Sequence, residues 1–378
     1  MKSNDEILAC IKKEDIKYLQ AGQLSNYIFP MNRSEAHQNK ISHLIVRLFV
    51  MAITADNKIL YLVQKRGKSK RGYPEYFTDS ASGHVVYKDK LTLNDIKKNA
   101  LRELEEEFGI AEKYIQKILF YNLHTEEDSF TPEIAYIFLA LVDYPIELHP
   151  NPSELELNGS QFYTKEELKN LMNLEKLVDY SREIWEFLLK QDIKTLFEKK
   201  KVSKIEKGKV GLFIGRFQPF HNGHLYVLKK MLKKCEKVKL GIGSSQLSHT
   251  INDPFSAEER KQFIISTLEV EKIPKERIEI FDIVDIFNAQ KWVDHVISIV
   301  GDVDIIYSNS DWVRTLFTNK SYLVADKLPL KMDKLNAKRI RDLIYNDDDE
   351  WLNLVPKEVS KLIKEFKGIE RIKSLKNK

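Results

Sequence analysis

The spacing of apolar and polar positions divides the chain into two rhythms. In the first half, His43 to Ile53 is a nearly continuous apolar run of strand length. Asp56-Asn57-Lys58 is a turn leading into a second strand over 59–64, so the pattern predicts a hairpin. A helix is predicted from Leu93 to Phe108, with Leu101, Leu104 and Phe108 as its apolar stripe. A strand near 133–142, a turn at 145–152 and helical patterns over 164–172 and 174–189 follow. Residues 198–208 are polar, charged and without periodicity, and mark a linker between domains at 1–197 and 209–378.

Beyond the linker, strands and helices alternate. Val210 to Ile214 is a buried strand, and Leu225, Leu228, Met231 and Leu232 recur at helical spacing. Short strands at 238–242, 278–283 and 304–307 are separated by helices, one opened by Ser256 with Glu259 three residues on, another covering 292–300. That rhythm is an open parallel sheet with crossover helices, a doubly wound α/β fold. Ligands of such sheets bind beyond the carboxyl ends of the strands.

Length and composition sharpen this picture. At 378 residues the chain exceeds the usual size of one hydrophobic core. Hydrophobic residues at 43% and charged residues at 31% describe a globular protein. A net charge of +5 calls for no nucleic-acid partner. Cys10 and Cys235 stand far apart, have no ligand spacing and suit a reducing, cytoplasmic setting. Charges interrupt every apolar run near the N-terminus, so neither a signal peptide nor a membrane partner is expected.

The strongest candidate chemistry is Gly215-Arg216-Phe217-Gln218-Pro219-Phe220-His221-Asn222-Gly223-His224, set between the first strand and helix of the second half. A helix N-terminus there aims its free N–H groups at whatever lies above the strand. His221 and His224 are three apart and share a face, expected to be solvent-facing. The string resembles the HxGH signature of nucleotidylyltransferases, and in its longer form that of the archaeal-type nicotinamide-mononucleotide adenylyltransferases. GSSQLSHT, NDPFSAEER, the Asp285/Asn288/Trp292 group and YSNSDWVRTLF extend the resemblance over 209–375.

The resemblance implies a Rossmann-like domain that joins nicotinamide mononucleotide to ATP, giving NAD and pyrophosphate. By it, His221, His224, Arg216 and Arg341 hold the triphosphate, with Mg²⁺ (or Mn²⁺) accompanying it. It also implies nucleotide contacts at Gly215, Phe217, Gly223, Ser244, Ser308, Asn309 and Arg314, and stacking of Trp292 on nicotinamide. One motif departs. The family's late Ser-Gly-Thr-x-Ile-Arg is Asn336-Ala337-Lys338-Arg339-Ile340-Arg341 here, leaving Lys338 to supply charge in place of hydroxyls.

The second constellation lies on the predicted Leu93–Phe108 helix. Glu103, Glu106 and Glu107 share the face opposite the apolar stripe. Such crowding is costly without cations and suits a hard divalent metal. Arg102 to Ile110 resembles the second half of the Nudix box, while Gly83 lies too far upstream and Asn94 stands where the family has Glu. Asp89 is the substitute on offer, and Glu133 and Glu154 are further carboxylate candidates.

Glu35-Ala36-His37 through His43 and the basic loop 65–72 are similar to the isopentenyl-diphosphate-isomerase branch. That branch has a reactive Cys before Gly-His, and this chain has Ser82-Gly83-His84. The resemblance therefore implies an α/β/α hydrolase-like domain with a mixed sheet, cleaving a nucleoside-diphosphate-linked compound, and fusion to an NAD-making domain suggests ADP-ribose. The competing expectations are cytidylyl transfer by the C-terminal domain and an inactive N-terminal domain that binds or regulates. A homo-oligomer is compatible with either.

Overall fold

The computed structural model describes residues 6–70, 72–127, 132–197, 209–328 and 335–376. The chain forms two compact units, Met1–Lys199 and Lys200–Lys378. The predicted linker, 198–208, lies outside the described residues. Among the described residues no helix is long and apolar enough to cross a membrane.

The N-terminal unit is built on a mixed sheet of β1 (Ile7–Ile11), β2 (Ile28–Asn32), β3 (His43–Ile53), β4 (Ile59–Val63), β5 (Ala81–His84), β6 (Ile115–Glu127), β7 (Pro132–Val142) and β8 (Gln161–Thr164). β3 is its axis. It pairs antiparallel with β4 and β5 and parallel with β7, in a register that sets His43 beside Glu133. Every residue of β3 from His43 to Ala52 is buried, as expected of a strand covered on both faces. The Leu93–Phe108 helix packs on β3 and β5. It is fixed at one end by a Thr92/Asp95 capping box and ends at Gly109 in the left-handed conformation. The Asp179–Lys190 helix brings Trp185 against Phe49 and Tyr61, at centroid distances of 4.8 and 6.1 Å.

Inside this sheet Arg47 is held by two carboxylates. Its Nε donates to Glu126 Oε1 at 2.6 Å, and its Nη1 donates to Asp79 Oδ2 at 2.6 Å. Gln64 donates to the other oxygen of Asp79 at 2.8 Å.

The C-terminal unit has the predicted doubly wound parallel sheet. Its strands are β9 (Val210–Gly215), β10 (Lys237–Ile242), β11 (Ile278–Asp282) and β12 (Ile305–Tyr307), in the spatial order β11-β10-β9-β12, all parallel. The order reverses at β9, so a crevice is expected between the carboxyl ends of β9 and β12. Phe213, Leu240 and Ile242 from the strands and Leu228, Met231 and Phe263 from the helices share one core. Ser256 and Glu259 form the expected capping box of the Ala257–Val270 helix.

Arg47→Ala would leave Glu126 and Asp79 buried without their cation. The expected cost to the N-terminal unit is about 3–5 kcal/mol, read as a lower denaturant midpoint. A loss below about 1 kcal/mol would mean that the trio contributes little.

Candidate functional site

β9 delivers its carboxyl end to the helix Asn222–Leu232 through the loop Arg216–His221. His221 and His224 stack, with ring centroids 3.5 Å apart and planes at 23°. Gly223 makes this possible, because a Cβ there would lie 3.0 Å from the His221 ring. The His221 backbone N–H donates to His224 Nδ1 at 3.2 Å. That partner assigns the His224 proton to Nε2. His221 is buried, and its Nδ1 has no partner among the described residues.

His224 was expected to face solvent. Instead it is half-buried, with Phe217 and Phe220 rings at 4.9 and 5.5 Å, because the aromatic residues of the loop fold back over it. Burial lowers the His221 pKa to about 4. Burial, with His221 beside it, takes His224 well below the usual imidazole range. Both rings are therefore neutral near pH 7.

Charge at this end of the sheet comes from arginines. Arg216 Nη1 lies 3.3 Å from Oδ1 of the buried Asp253. Arg341 is buried, and its Nη1 donates to Gln218 O at 2.9 Å. Burial, then repulsion from Arg216, lowers its pKa to about 10, which leaves it charged. Gly215 is required by Phe217, whose ring a Cβ would meet at 2.7 Å. The altered late motif is accommodated by capping: Asn336 Oδ1 accepts from Arg339 N at 2.8 Å. Lys338 stands exposed on the first turn of the Ala337–Tyr345 helix.

Other expected residues lie beyond the strand ends. Ser244, after β10, donates to Asp285 Oδ2 at 3.2 Å. Ser308 and Asn309 follow β12, and Asn309 Oδ1 accepts from Leu328 N at 3.3 Å. Arg314 Nη1 donates to Ser308 O at 3.1 Å and to Ala325 O at 2.5 Å, bracing this loop. Trp292 is buried on the Ala289–Val300 helix, its ring edge-on to Phe317 at 5.9 Å.

In the N-terminal unit the expected acidic face is not a solvated one. Glu103 and Glu107 are 1% and 3% exposed, because β5 covers them. A Cβ on Gly83 would lie 2.2–2.5 Å from the Glu103 carboxylate, so glycine is needed at the close approach. Ser82 N donates to Glu107 Oε2 at 3.3 Å. Glu106 stays exposed, and Arg102 reaches both Glu103 (2.7 Å) and Glu106 (2.9 Å). Buried carboxylates against a glycine strand fit a divalent cation. Asp89 is exposed on its loop. Glu154 pairs with Lys70.

One constellation was missed in the sequence. The ring nitrogens of His37, His43 and His84 lie within 4.8 Å of one another. His37 and His84 Nε2 atoms are 3.2 Å apart. His43 Nδ1 donates to Ile41 O at 3.0 Å, and its buried Nε2 faces the group. Glu133 Oε1 stands 3.7 Å from that atom. Burial raises the Glu133 pKa, but hydrogen bonding and charge from His43 more than offset this and hold it below the usual carboxylate range. Three imidazoles and a carboxylate are a donor set for a transition metal. The only sequence signal was a pair of histidines six apart before an apolar strand, with a third after Gly83.

Comparison with known proteins divides along the same lines. Residues 212–363 match the family model described as cytidylyltransferase-like. The nicotinamide-nucleotide adenylyltransferase of Thermococcus sibiricus is 41% identical over 165 residues, 44% of this chain and 88% of that protein. That of Methanococcus maripaludis is 41% identical over 165 residues, covering 44% of this chain and 94% of its own length. Among solved structures, a bifunctional NMN adenylyltransferase/ADP ribose pyrophosphatase from Francisella tularensis, complexed with AMP and a Mn ion, is 28% identical. It covers 45% of this chain and 53% of its own, with a TM-score of 0.37. A NUDIX hydrolase from Alicyclobacillus acidocaldarius is 13% identical, covers 39% of this chain and 90% of its own, and scores 0.33.

The depressed histidines carry a pH signature. The unfolded chain takes up protons at its imidazoles near pH 6.5, and the folded His221 does so only near 4. Stability from this group is present above pH 6.5 and is lost as pH falls toward 4, on the order of 3 kcal/mol in all. Thermal midpoints measured from pH 7 to 4.5 should fall less steeply for His221→Gln than for the wild type. Identical slopes would mean that His221 is not held neutral.

Proposed function

Through its C-terminal unit the chain belongs to the nicotinamide-nucleotide adenylyltransferase family, and from that premise we propose that it transfers AMP from ATP to nicotinamide mononucleotide. A phosphate oxygen of the mononucleotide attacks the α-phosphorus, the bond to the bridging oxygen breaks, and NAD and pyrophosphate leave. The observation that carries this reading is the neutral, stacked His221–His224 pair at a helix N-terminus, flanked by Arg216 and Arg341. No nucleophilic side chain is required. His224 Nε2–H and His221 Nδ1 offer hydrogen bonds to phosphate oxygens without competing carboxylates. The arginines offset the charge that grows on the leaving pyrophosphate. A divalent cation bound with the triphosphate adds further neutralisation.

Ser244, Ser308 and Asn309 are proposed for nucleotide binding on their positions beyond the strand ends and on the family resemblance, and Trp292, Arg314 and Lys338 on the resemblance alone. A panel pairing ATP or CTP with nicotinamide mononucleotide, its nicotinate analogue and phosphorylated alcohols tests the reading. NAD formed from ATP supports it, and cytidylyl products alone would replace it.

For the N-terminal unit, proposed to span 1–197 with 198–208 as linker, the reading is hydrolysis of a nucleoside-diphosphate compound, with ADP-ribose as first candidate. It is supported by the Nudix-like helix and by Glu103 and Glu107 buried beneath Gly83. A divalent ion held by Glu103, Glu106 and Glu107 would orient and activate water. The water then splits the P–O–P linkage into two monophosphates. The competing reading is a binding module. Arg102, forked between Glu103 and Glu106, favours it by supplying the cation from the chain itself.

Two substitutions separate roles from fold. His224→Ala should reduce adenylyl transfer by about 10²-fold in a folded chain; near-normal turnover would remove the triphosphate role. Glu106→Gln should weaken Mn²⁺ or Mg²⁺ binding, measured calorimetrically on the full chain, while leaving the metal-free thermal midpoint unchanged or higher, since it relieves like-charge crowding. Unchanged metal heat in the variant would place the cation elsewhere.

A further inference from the structure

Arg260 is among the largest fully buried side chains of the protein. Among the described residues, its hydrogen bonds all go to backbone carbonyls. Nε donates to Ser256 O at 3.1 Å, and Nη1 donates to Arg216 O and Gly243 O, both at 2.9 Å. Nη2 lies 3.3 to 3.5 Å from the carbonyls of Ser244, Ser245 and Leu247. One planar group therefore gathers three segments: the loop after β9, the loop after β10, and the cap of its own helix. A buried guanidinium is expensive unless its donors are met, and here carbonyls meet them.

The segments it gathers carry unfavourable backbone. Phe217 and Ser244, neither of them glycine, have φ of 52° and 47°. Such residues are strained and persist only where the surroundings over-determine them. Each stands at a carbonyl that Arg260 holds. The Arg216–Phe217 and Gly243–Ser244 peptides are trans. A carbonyl drawn toward Arg260 therefore turns the following N–H the opposite way. The amides of Phe217 and Ser244 are thus pointed away from the buried cation.

We propose that Arg260 is a positioning residue for adenylyl transfer, which clamps the β9 and β10 loops so that Arg216, Phe217 and Ser244 are presented to the triphosphate. Burial lowers its pKa to about 10, partly offset by Asp253, so it remains charged at neutral pH. Lysine cannot replace it, having one nitrogen where three segments need a planar fork.

The inference rests on the adenylyltransferase reading, and the two fail differently. A wild-type chain that transfers no AMP fails that reading; an active chain indifferent to Arg260 fails this inference alone. The experiment compares full-length Arg260→Lys with Ile264→Val, a buried substitution on the same helix, for thermal midpoint, kcat and the KM for ATP. Arg260→Lys should lose about 10²-fold in kcat, with a raised KM for ATP, and beyond anything Ile264→Val shows. A kcat within about twofold of wild type, or a loss that follows midpoint equally in both variants, overturns it. Should the lysine variant not fold, Arg260→Ala is assayed with added guanidinium at non-denaturing concentration. Recovery of turnover by guanidinium and not by potassium chloride supports the clamp, and no recovery overturns it.

Discussion

The C-terminal site depends on keeping two imidazoles uncharged and face to face. At a centroid separation of 3.5 Å, two protonated rings would repel strongly in so buried a place. The fold removes that possibility by surrounding them with Phe213, Phe217 and Phe220 and by leaving no side chain at Gly223. In the proposed transfer, neutral donors and charged arginines divide the work: the histidines contribute direction, and Arg216 and Arg341 contribute charge. The buried carboxylates Asp253 and Asp285 both stand near Arg216 and temper that charge.

The N-terminal unit solves the opposite problem, that of burying carboxylates. Glu103 and Glu107 are sealed by β5, while Arg102 partly compensates them from the helix surface. The same strand ends in His84, one of three imidazoles that meet beside Glu133. Two donor sets of different hardness thus stand at consecutive residues of one short strand, carboxylates by Gly83 and imidazoles at His84. Hard cations and transition metals would sort between them by ligand type.

The strands at His43–Ile53 and Val210–Gly215 and the Leu93–Phe108 helix were legible because continuous apolar runs and a clean stripe leave little choice. The loop motif between β9 and its helix was legible because a strand, a tight loop and a helix cap occur together in ten residues. Burial was not. Glu103 and Glu107 read as metal-binding carboxylates on one helix face, but periodicity on a helix cannot reveal a strand folded over it. The His37–His43–His84 group was invisible because its members are joined only by the register of β3 with β5 and β7. Arg260 read only as part of NDPFSAEER, since nothing local says that two loops and its own helix cap converge on it.

In the proposed reaction AMP passes directly from ATP to the mononucleotide, with residues that position and neutralise and none that bonds to phosphorus. Its most direct test is the stereochemical course at the α-phosphorus, using ATP made chiral there by sulfur and nicotinamide mononucleotide as acceptor. A single in-line displacement predicts inversion, with no label retained on the protein. Retention of configuration, or a phosphoryl label left on a side chain, would contradict it.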